Sequence, residues 1–176
     1  MTQIEQIEIP LSKKKMLLTF FGAIAFVGFG VLFLITPSIF TNKNSIVVLI
    51  VGLASILFFG LAAISIFRKF SDKKAGIIIN RQGIIDNSSG VSAGLVLWSD
   101  IEEIETVKVQ SQKFMIFIMK NPQDYIDRVT NPLKRKGMEM NYRIYGSPIS
   151  ISANSLQMNF DNLYKLLIEK MKEYKL

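Results

Sequence analysis

The run MLLTFFGAIAFVGFGVLFLI at residues 16–35 contains no charged side chain, and a second uncharged run, IVVLIVGLASILFFGLAAISIF, follows at residues 46–67. A helix rises about 1.5 Å per residue, so about 20 residues span the roughly 30 Å hydrocarbon core of a bilayer. The intervening residues 36–45 include Pro37, two asparagines and one lysine, a composition typical of a turn. The sequence therefore predicts a transmembrane α-helical hairpin with spans at 16–35 and 46–67.

Two other interpretations of the apolar runs stay open at the level of sequence. Either run could be the buried core helix of a soluble protein, although such helices rarely extend for about 20 residues without a charge. The first run could be a cleaved signal peptide, because the lysines at 13–15 resemble its basic segment. However, it is longer than the usual apolar segment of about 7–15 residues, and no A-x-A-like cleavage site follows it.

Basic residues flank the two apolar runs on their outer sides. The pair of runs is bracketed by Lys13, Lys14, Lys15, Arg68, Lys69, Lys73 and Lys74. The connecting residues carry only Lys43. Because cytoplasmic loops carry the excess of lysine and arginine, both termini are predicted to be cytoplasmic, in a multi-pass protein of the cell (inner) membrane. The bracketing residues are also candidate contacts for anionic lipid at the inner leaflet.

Charge and composition argue against several classes of function. The net charge is +7, but residues 76–176 carry thirteen basic and eleven acidic side chains, too even a balance for a nucleic-acid-binding face. The chain has no cysteine and no histidine, which excludes disulfides, Cys/His zinc sites, Fe–S clusters and Cys or His catalysis. Walker A, G-x-S-x-G and H-E-x-x-H motifs do not occur. We therefore expect no catalysis and no cofactor.

The rest of the chain divides into a short amino-terminal segment and one folded domain. Residues 1–15 are predicted to be a cytoplasmic tether. Within them, residues 1–12 could be either a frayed terminus or an edge strand of the later domain. Residues 71–75 form a short charged linker, and residues 76–176 are long enough for one hydrophobic core. We expect the last segment to fold as a cytoplasmic α+β domain.

Short β-type runs open this domain. The segments GIIIN (76–80) and GIID (83–86) predict a hairpin in which Gly83 supplies the turn. Residues 87–94 have the composition of a loop, and residues 95–98 have that of a strand.

One helical turn and two further strands are expected next. Ser99 or Asp100 would cap the turn, and its inner side would be formed by Trp98, Ile101 and Ile104. We interpret these three apolar residues as structural, although Trp98 could instead anchor a ligand or the membrane. The alternating residues around Val107 and Val109 and the apolar run at 113–121 predict the strands.

Helices are predicted mainly in the second half of the domain. Residues 122–136 are expected to form two short helices, split by Pro132 and closed by Gly137. Residues 141–156 predict one or two strands. The chain ends in an amphipathic helix at about 161–174.

The segment Leu97-Trp98-Ser99-Asp100-Ile101, within a W-S-D-I-x-x-I pattern, resembles the bacterial pleckstrin-homology-like domains, and Tyr145-Gly146-Ser147-Pro148 is a weaker second likeness. The preceding pair of spans is similar to uncharacterised bacterial membrane proteins that carry such a domain. The resemblance covers residues 13–176. It implies a bent, partly open β-barrel capped by a C-terminal helix, and binding, assembly or membrane-linked regulation without a shared reaction. It carries over no lipid headgroup site.

Two clusters of charge are candidate sites within the domain. The basic run Lys134, Arg135 and Lys136 could contact lipid phosphate or an acidic partner, or could complement a helix C-terminus. The acidic run at 100–105 could hold a metal or an acid/base pair, although its pattern favours a solvated face.

Two functions follow from these observations. The first is a membrane-anchored binding or scaffolding module that presents its domain to a protein partner, or to a second copy, at the inner face of the membrane. The alternative is a sensor of anionic lipid surfaces or a membrane-remodelling protein. The spans contain no G-x-x-x-G motif, and their glycines are expected to ease packing between the two helices.

Overall fold

A computed structural model describes residues 6–40, 45–70 and 74–175. The chain forms two compact units: a helical unit, Lys13–Lys73, and a β-rich unit that combines Met1–Ser12 with Lys74–Leu176. The β-rich unit is thus built from two separate segments, and the helical unit lies between them in sequence. Two long apolar helices together with antiparallel sheets confirm the general prediction of a helical hairpin and an α+β domain.

Two long helices make up most of the helical unit. Helix α1 covers Lys13–Ile35 and helix α3 covers Ser45–Phe70, and a short helix α2, Pro37–Phe40, lies between them. Both helices are long and apolar enough to cross a membrane. Only 11% of the most apolar part of each helix is buried, whereas the core helix of a soluble protein is mostly buried. Helix α2 occupies part of the predicted turn at 36–45, of which residues 41–44 lie outside the described residues.

Helices α1 and α3 approach closely at two glycines. A Cβ atom on Gly30 would lie 2.8 Å from the Gly52 carbonyl oxygen, and one on Gly52 would lie 2.9 Å from the Gly30 carbonyl oxygen. The Phe26 and Phe59 rings stack with their centroids 4.4 Å apart. Ser55 Oγ donates a hydrogen bond of 3.0 Å to the Phe26 carbonyl oxygen. These pairings follow an antiparallel register, as a helical hairpin requires.

The expectation that all the glycines of the spans ease helix packing holds only for that pair. At Gly22, Gly28 and Gly60, an added Cβ would meet no atom within 4 Å in the part of the chain that the structure describes. These three glycines face away from the partner helix, so the prediction was wrong for them.

The first sheet of the β-rich unit joins the two segments of the chain. Strands β1 (Ile7–Ile9), β2 (Ile77–Ile79), β3 (Gly83–Asp86) and β4 (Gly94–Leu97) form an antiparallel sheet in that order. Ile9 lies opposite Ile77 in the register. Of the two possibilities for the amino-terminal segment, the edge strand is therefore the one observed for Ile7–Ile9, and residues 1–5 lie outside the described residues.

The predicted β2–β3 hairpin is confirmed, but Gly83 has a different role from the one expected. The side-chain oxygen of Asn80 accepts hydrogen bonds from the backbone N–H groups of Gln82 and Gly83 at 2.9 and 3.1 Å, so the asparagine organises the turn. Gly83 has no positive φ. A Cβ atom there would overlap the Val96 carbonyl oxygen, so the glycine lets strand β4 approach.

The helical turn after β4 is a single 3-10 turn, Trp98–Asp100, flanked by Leu97 at its N-cap with no side-chain cap hydrogen bond. The expected cap by Ser99 or Asp100 is wrong, because both residues lie inside the turn. Trp98, Ile101 and Ile104 are buried in the core. The Trp98 indole N–H also donates a hydrogen bond of 2.8 Å to the Asn80 carbonyl oxygen.

A second antiparallel sheet contains β5 (Ile101–Val109), β6 (Gln112–Met119) and β7 (Ser150–Ile151), in that order. Strand β6 is buried on both faces over much of its length, as its apolar run predicts. The described strands form two separate sheets, and no closed barrel is seen among them.

Helices α4 (Pro122–Asp127) and α5 (Pro132–Tyr145) lie between β6 and β7 in sequence. Pro132 separates them as expected, but α5 does not end at Gly137. It continues to Gly146, whose φ of 72° forms a left-handed cap. The strand expected before Gly146 is therefore wrong, and only β7 remains of the predicted 141–156 region. Tyrosine and isoleucine favour strands locally, but the capped ends and buried Met138 fix a helix here.

The final helix α6 (Phe160–Tyr174) confirms the predicted amphipathic helix. Asn159 caps it by accepting a hydrogen bond of 2.9 Å from the Asn162 N–H. Leu163 and Leu167 are fully buried. Their side chains anchor α6 in the core of the β-rich unit.

The glycine contact in the helical unit predicts a difference between two alanine substitutions. Gly52→Ala should lower the free energy of unfolding in detergent micelles by about 1–3 kcal/mol, because the added methyl group overlaps the Gly30 backbone. At Gly60 an added methyl group meets open space, and alanine favours a helix more than glycine does. Gly60→Ala should therefore leave the free energy of unfolding unchanged or raise it by up to about 1 kcal/mol. Circular dichroism during denaturation measures both. Equal effects of the two substitutions would contradict the assigned helix contact.

Candidate functional site

The surface of α5 is the strongest candidate site in the β-rich unit. Among the described residues of this unit, the exposed large hydrophobic side chains are Val109, Leu133, Met140, Tyr142 and Ile144. Four of these five lie on α5, and the exposed fractions of Leu133, Met140 and Ile144 are 81%, 56% and 60%. Exposed apolar side chains that cluster on one element, rather than occurring singly, mark an interaction surface.

Helical spacing places three of these side chains on one side of α5. Leu133, Met140 and Ile144 follow one another at intervals of seven and four residues, which brings them to the same helix face. Met138 is fully buried and points to the opposite side. Two exposed basic residues lie along one side of the apolar stripe. Together these five residues form the α5 outer face: Leu133, Lys136, Met140, Arg143 and Ile144.

Local contacts hold α5 in place. The Asn131 side chain accepts hydrogen bonds from the backbone N–H groups of Leu133 and Lys134 at 3.0 and 3.1 Å, which caps the helix. Gly137 packs against Val91, whose methyl carbons would lie 3.0 Å from an added Cβ. The helix is therefore seated on the loop that contains Val91, and its outer face is formed before any partner binds.

The predicted basic run Lys134, Arg135 and Lys136 is divided by the helix. Arg135 forms ion pairs with Asp127 at 2.8 Å and with Glu139 at 3.2 Å. Lys134 is half-buried, and Lys136 is exposed. Consecutive helical residues point in different directions, so the run is not one patch. The run also lies near the start of α5, so the interpretation that it complements a helix C-terminus is wrong.

Sequence reasoning missed most of the α5 outer face. Met140, Arg143 and Ile144 lie in or beside a region predicted to be a strand. Their position on the same helix face as Leu133 and Lys136 was therefore not predicted. The signal was present as the spacing of three large apolar residues, and Asn131-Pro132 marked the helix start.

The basic residues predicted at the membrane surface belong to both units. Helix α1 begins with Lys13, Lys14 and Lys15, and the last turn of α3 contains Arg68 and Lys69. The Phe20 and Phe70 rings near those ends are 6.5 Å apart, so the five basic residues lie at the same end of the helical unit. Lys74 opens the second segment of the β-rich unit, and Lys73 lies outside the described residues.

A second polar cluster, Asp100, Tyr125 and Arg128, lies where α4 meets β4. The Tyr125 hydroxyl donates a hydrogen bond of 2.7 Å to Asp100 Oδ2 and accepts one of 3.2 Å from the Leu97 N–H. The Arg128 guanidinium lies 3.6 Å from the centre of the Tyr125 ring and donates to the Leu95 carbonyl oxygen at 3.2 Å. These contacts join α4 to the first sheet.

The environment of this cluster keeps the tyrosine protonated. Burial, reinforced by the hydrogen bond to Asp100, raises the pKa of Tyr125 from 10.0 to about 12. A neutral hydroxyl held between a carboxylate and a backbone N–H is a structural link rather than a nucleophile. The other acidic residues of the run, Glu102, Glu103 and Glu105, are exposed on β5. Within the described ranges, no group of three or more acidic residues could hold a metal.

The Tyr125 link predicts both a stability loss and a pH dependence. Tyr125→Phe should lower the free energy of unfolding by about 1–3 kcal/mol, because the partly buried Asp100 carboxylate and Leu97 N–H lose a partner. The pKa of Tyr125 is higher in the folded state than in the unfolded state. The stabilisation that the protonated hydroxyl provides is therefore fully present below pH 10.0 and is lost as the pH rises through about 12. Denaturation of the full chain across this range measures it. Tyr142→Phe, at an exposed position, is the control, and equal pH profiles for Tyr125→Phe and the parent chain would contradict the assignment.

Comparisons of the chain with protein-family models, with curated proteins and with solved structures return no match. The function is therefore inferred from the residues themselves. The observations available for that inference are two apolar helices, a β-rich unit divided in sequence, and an exposed apolar and basic helix face.

Proposed function

We propose that this chain is a membrane-anchored binding module without catalytic activity. Its helical hairpin crosses the cell membrane with both termini in the cytoplasm, and its β-rich unit presents a surface to a protein partner or to a second copy at the inner face. One observation carries the proposal: the hairpin is inserted between β1 and β2, two paired strands of the same unit. A binding unit connected to its anchor by both strands is confined to the membrane surface.

Length, exposure and charge support the anchoring part of the proposal. Helices of 23 and 26 residues are about 35–39 Å long, enough for the hydrocarbon core with some tilt. Their large apolar side chains, such as Leu18, Phe58 and Leu61, are mostly exposed, which suits contact with lipid. Basic residues at one end of the helical unit favour a cytoplasmic location for that end.

The order of elements supports a pleckstrin-homology-like unit. A four-stranded antiparallel sheet is followed by a three-stranded one, and an amphipathic helix closes the chain. Leu163 and Leu167 of α6 are fully buried, as a helix that caps a bent, partly open barrel would require. Under this proposal, α4 and α5 are an addition between β6 and β7 that enlarges the binding surface.

Surface chemistry favours binding over catalysis. The one clustered polar network described above, around Tyr125, satisfies its hydrogen bonds internally. The exposed feature of the unit is instead an apolar and basic helix face. That face also favours the alternative function, a sensor of anionic lipid surfaces or a membrane-remodelling protein.

The insertion predicts that the β-rich unit folds without the hairpin. Replacing residues 13–73 with a short Gly-Ser turn should give a soluble unit that unfolds cooperatively, because Ile9 and Ile77 are already opposite each other. As a control, residues 74–176 alone should be less stable, since removing buried Ile9 costs about 1.5–3 kcal/mol. Circular dichroism and sedimentation measure folding and solubility. Aggregation of the joined variant would contradict the independence of the unit.

Photo-crosslinking in the native membrane tests the binding function. Photoreactive residues placed singly over the exposed surface of the β-rich unit should give one discrete protein adduct, identified by mass spectrometry, at one group of neighbouring positions and not at the others. If photoreactive residues placed over the whole exposed surface of the β-rich unit gave no protein adduct, the chain would not be a protein-binding module.

A further inference from the structure

We propose that the α5 outer face binds the anionic surface of a phospholipid membrane. The side chains of Leu133, Met140 and Ile144 enter the boundary between headgroups and acyl chains, and Lys136 and Arg143 contact lipid phosphates. The inference rests on the membrane anchoring proposed above and names a ligand for one surface of the β-rich unit.

The first argument is the distribution of exposed apolar surface. Four of the five exposed large hydrophobic side chains among the described residues of the β-rich unit are on this one helix. Three of them form a stripe opposite the buried Met138. A helix with an apolar stripe flanked by basic side chains binds in the plane of a membrane interface, where burial of the stripe provides the driving force.

The second argument is the charge of the face. Lys136 and Arg143 are exposed, and neither side chain forms an ion pair or hydrogen bond within residues 6–40, 45–70 and 74–175. The one acidic residue of α5, Glu139, is paired with Arg135. The outer face therefore carries two positive charges without an acidic partner. A surface that complements it has negative charges outside and an apolar layer directly beneath them, as an anionic bilayer has.

These charges also distinguish lipid from a second copy of the chain. In a symmetric pairing of two outer faces, Lys136 and Arg143 would meet the same residues of the other copy, and this repulsion opposes association. An anionic bilayer can bury the apolar stripe and also pair its phosphates with Lys136 and Arg143. A protein with an acidic, apolar groove is the competing occupant, and the experiment below separates the two.

The test uses the full chain, which has no cysteine, so that one introduced cysteine can carry an environment-sensitive fluorophore. Met140→Cys reports the outer face, and Lys165→Cys on α6 is the control. Both variants are reconstituted in phosphatidylcholine vesicles and in vesicles with about one third phosphatidylglycerol. In the anionic vesicles alone, the label at position 140 should shift to the blue and be quenched by lipid-attached quenchers, and the label at position 165 should not.

Charge variants test the two basic residues. In the Met140→Cys background, Lys136→Gln and Arg143→Gln should each lower the equilibrium constant for lipid contact about fivefold, as expected for one basic residue at an anionic surface. Lys172→Gln on α6 is the matched control and should have no effect. Unchanged circular dichroism establishes that each variant is folded. An about fivefold weaker lipid contact in both variants, with the control unchanged, supports the proposal.

Three outcomes would overturn it. The label at position 140 could stay in water in both vesicles, could be shielded equally with and without phosphatidylglycerol, or could be shielded according to protein density, which would identify a second copy.

If it stays in water while a protein adduct forms at Met140 in native membranes, a protein occupies the face and the proposed function stands. If the chain fails to insert into vesicles at all, the proposed anchoring itself is wrong.

Discussion

The pairing of β1 with β2 is the interaction on which the arrangement of the chain depends. Ile9 and Ile77 lie opposite each other although the whole helical unit separates them in sequence. Closing so long a loop is entropically unfavourable, but the cost grows only slowly with length, and a packed helical hairpin has both ends close together already. The Gly30–Gly52 contact keeps those helices adjacent, so the helical unit and the β1–β2 pairing favour each other.

The position of the helical unit between β1 and β2 has a direct consequence for the proposed function. A domain attached by a single linker can diffuse through a volume set by linker length, whereas a domain attached by both paired strands is confined. Confinement raises the effective concentration of its surface toward whatever lies at the membrane, including lipid. Under the proposed function, weak contacts such as those of three apolar side chains with Lys136 and Arg143 suffice, because little translational freedom remains to be lost.

Sequence patterns predicted the elements whose local signals agree and failed where local signals conflict. The two apolar helices, the β2–β3 hairpin, the buried strand β6 and helix α6 were predicted correctly. A strand was predicted after Gly137, because Tyr142, Ile144 and Tyr145 favour strands and a glycine inside a helix is unfavourable. Packing of Gly137 on Val91 accounts for the glycine, and that contact joins residues distant in sequence.

Composition and local periodicity are enough to predict the two long apolar helices, the basic residues that flank them and the α+β class of the remaining chain. Three features depend instead on packing: the amino-terminal strand completes the first sheet, Gly83 allows strand β4 to approach, and α5 exposes Leu133, Met140 and Ile144. Each of these depends on which distant segment covers which face. The covering of one segment by another that is distant in sequence is a property of the packed chain, and local patterns do not specify it.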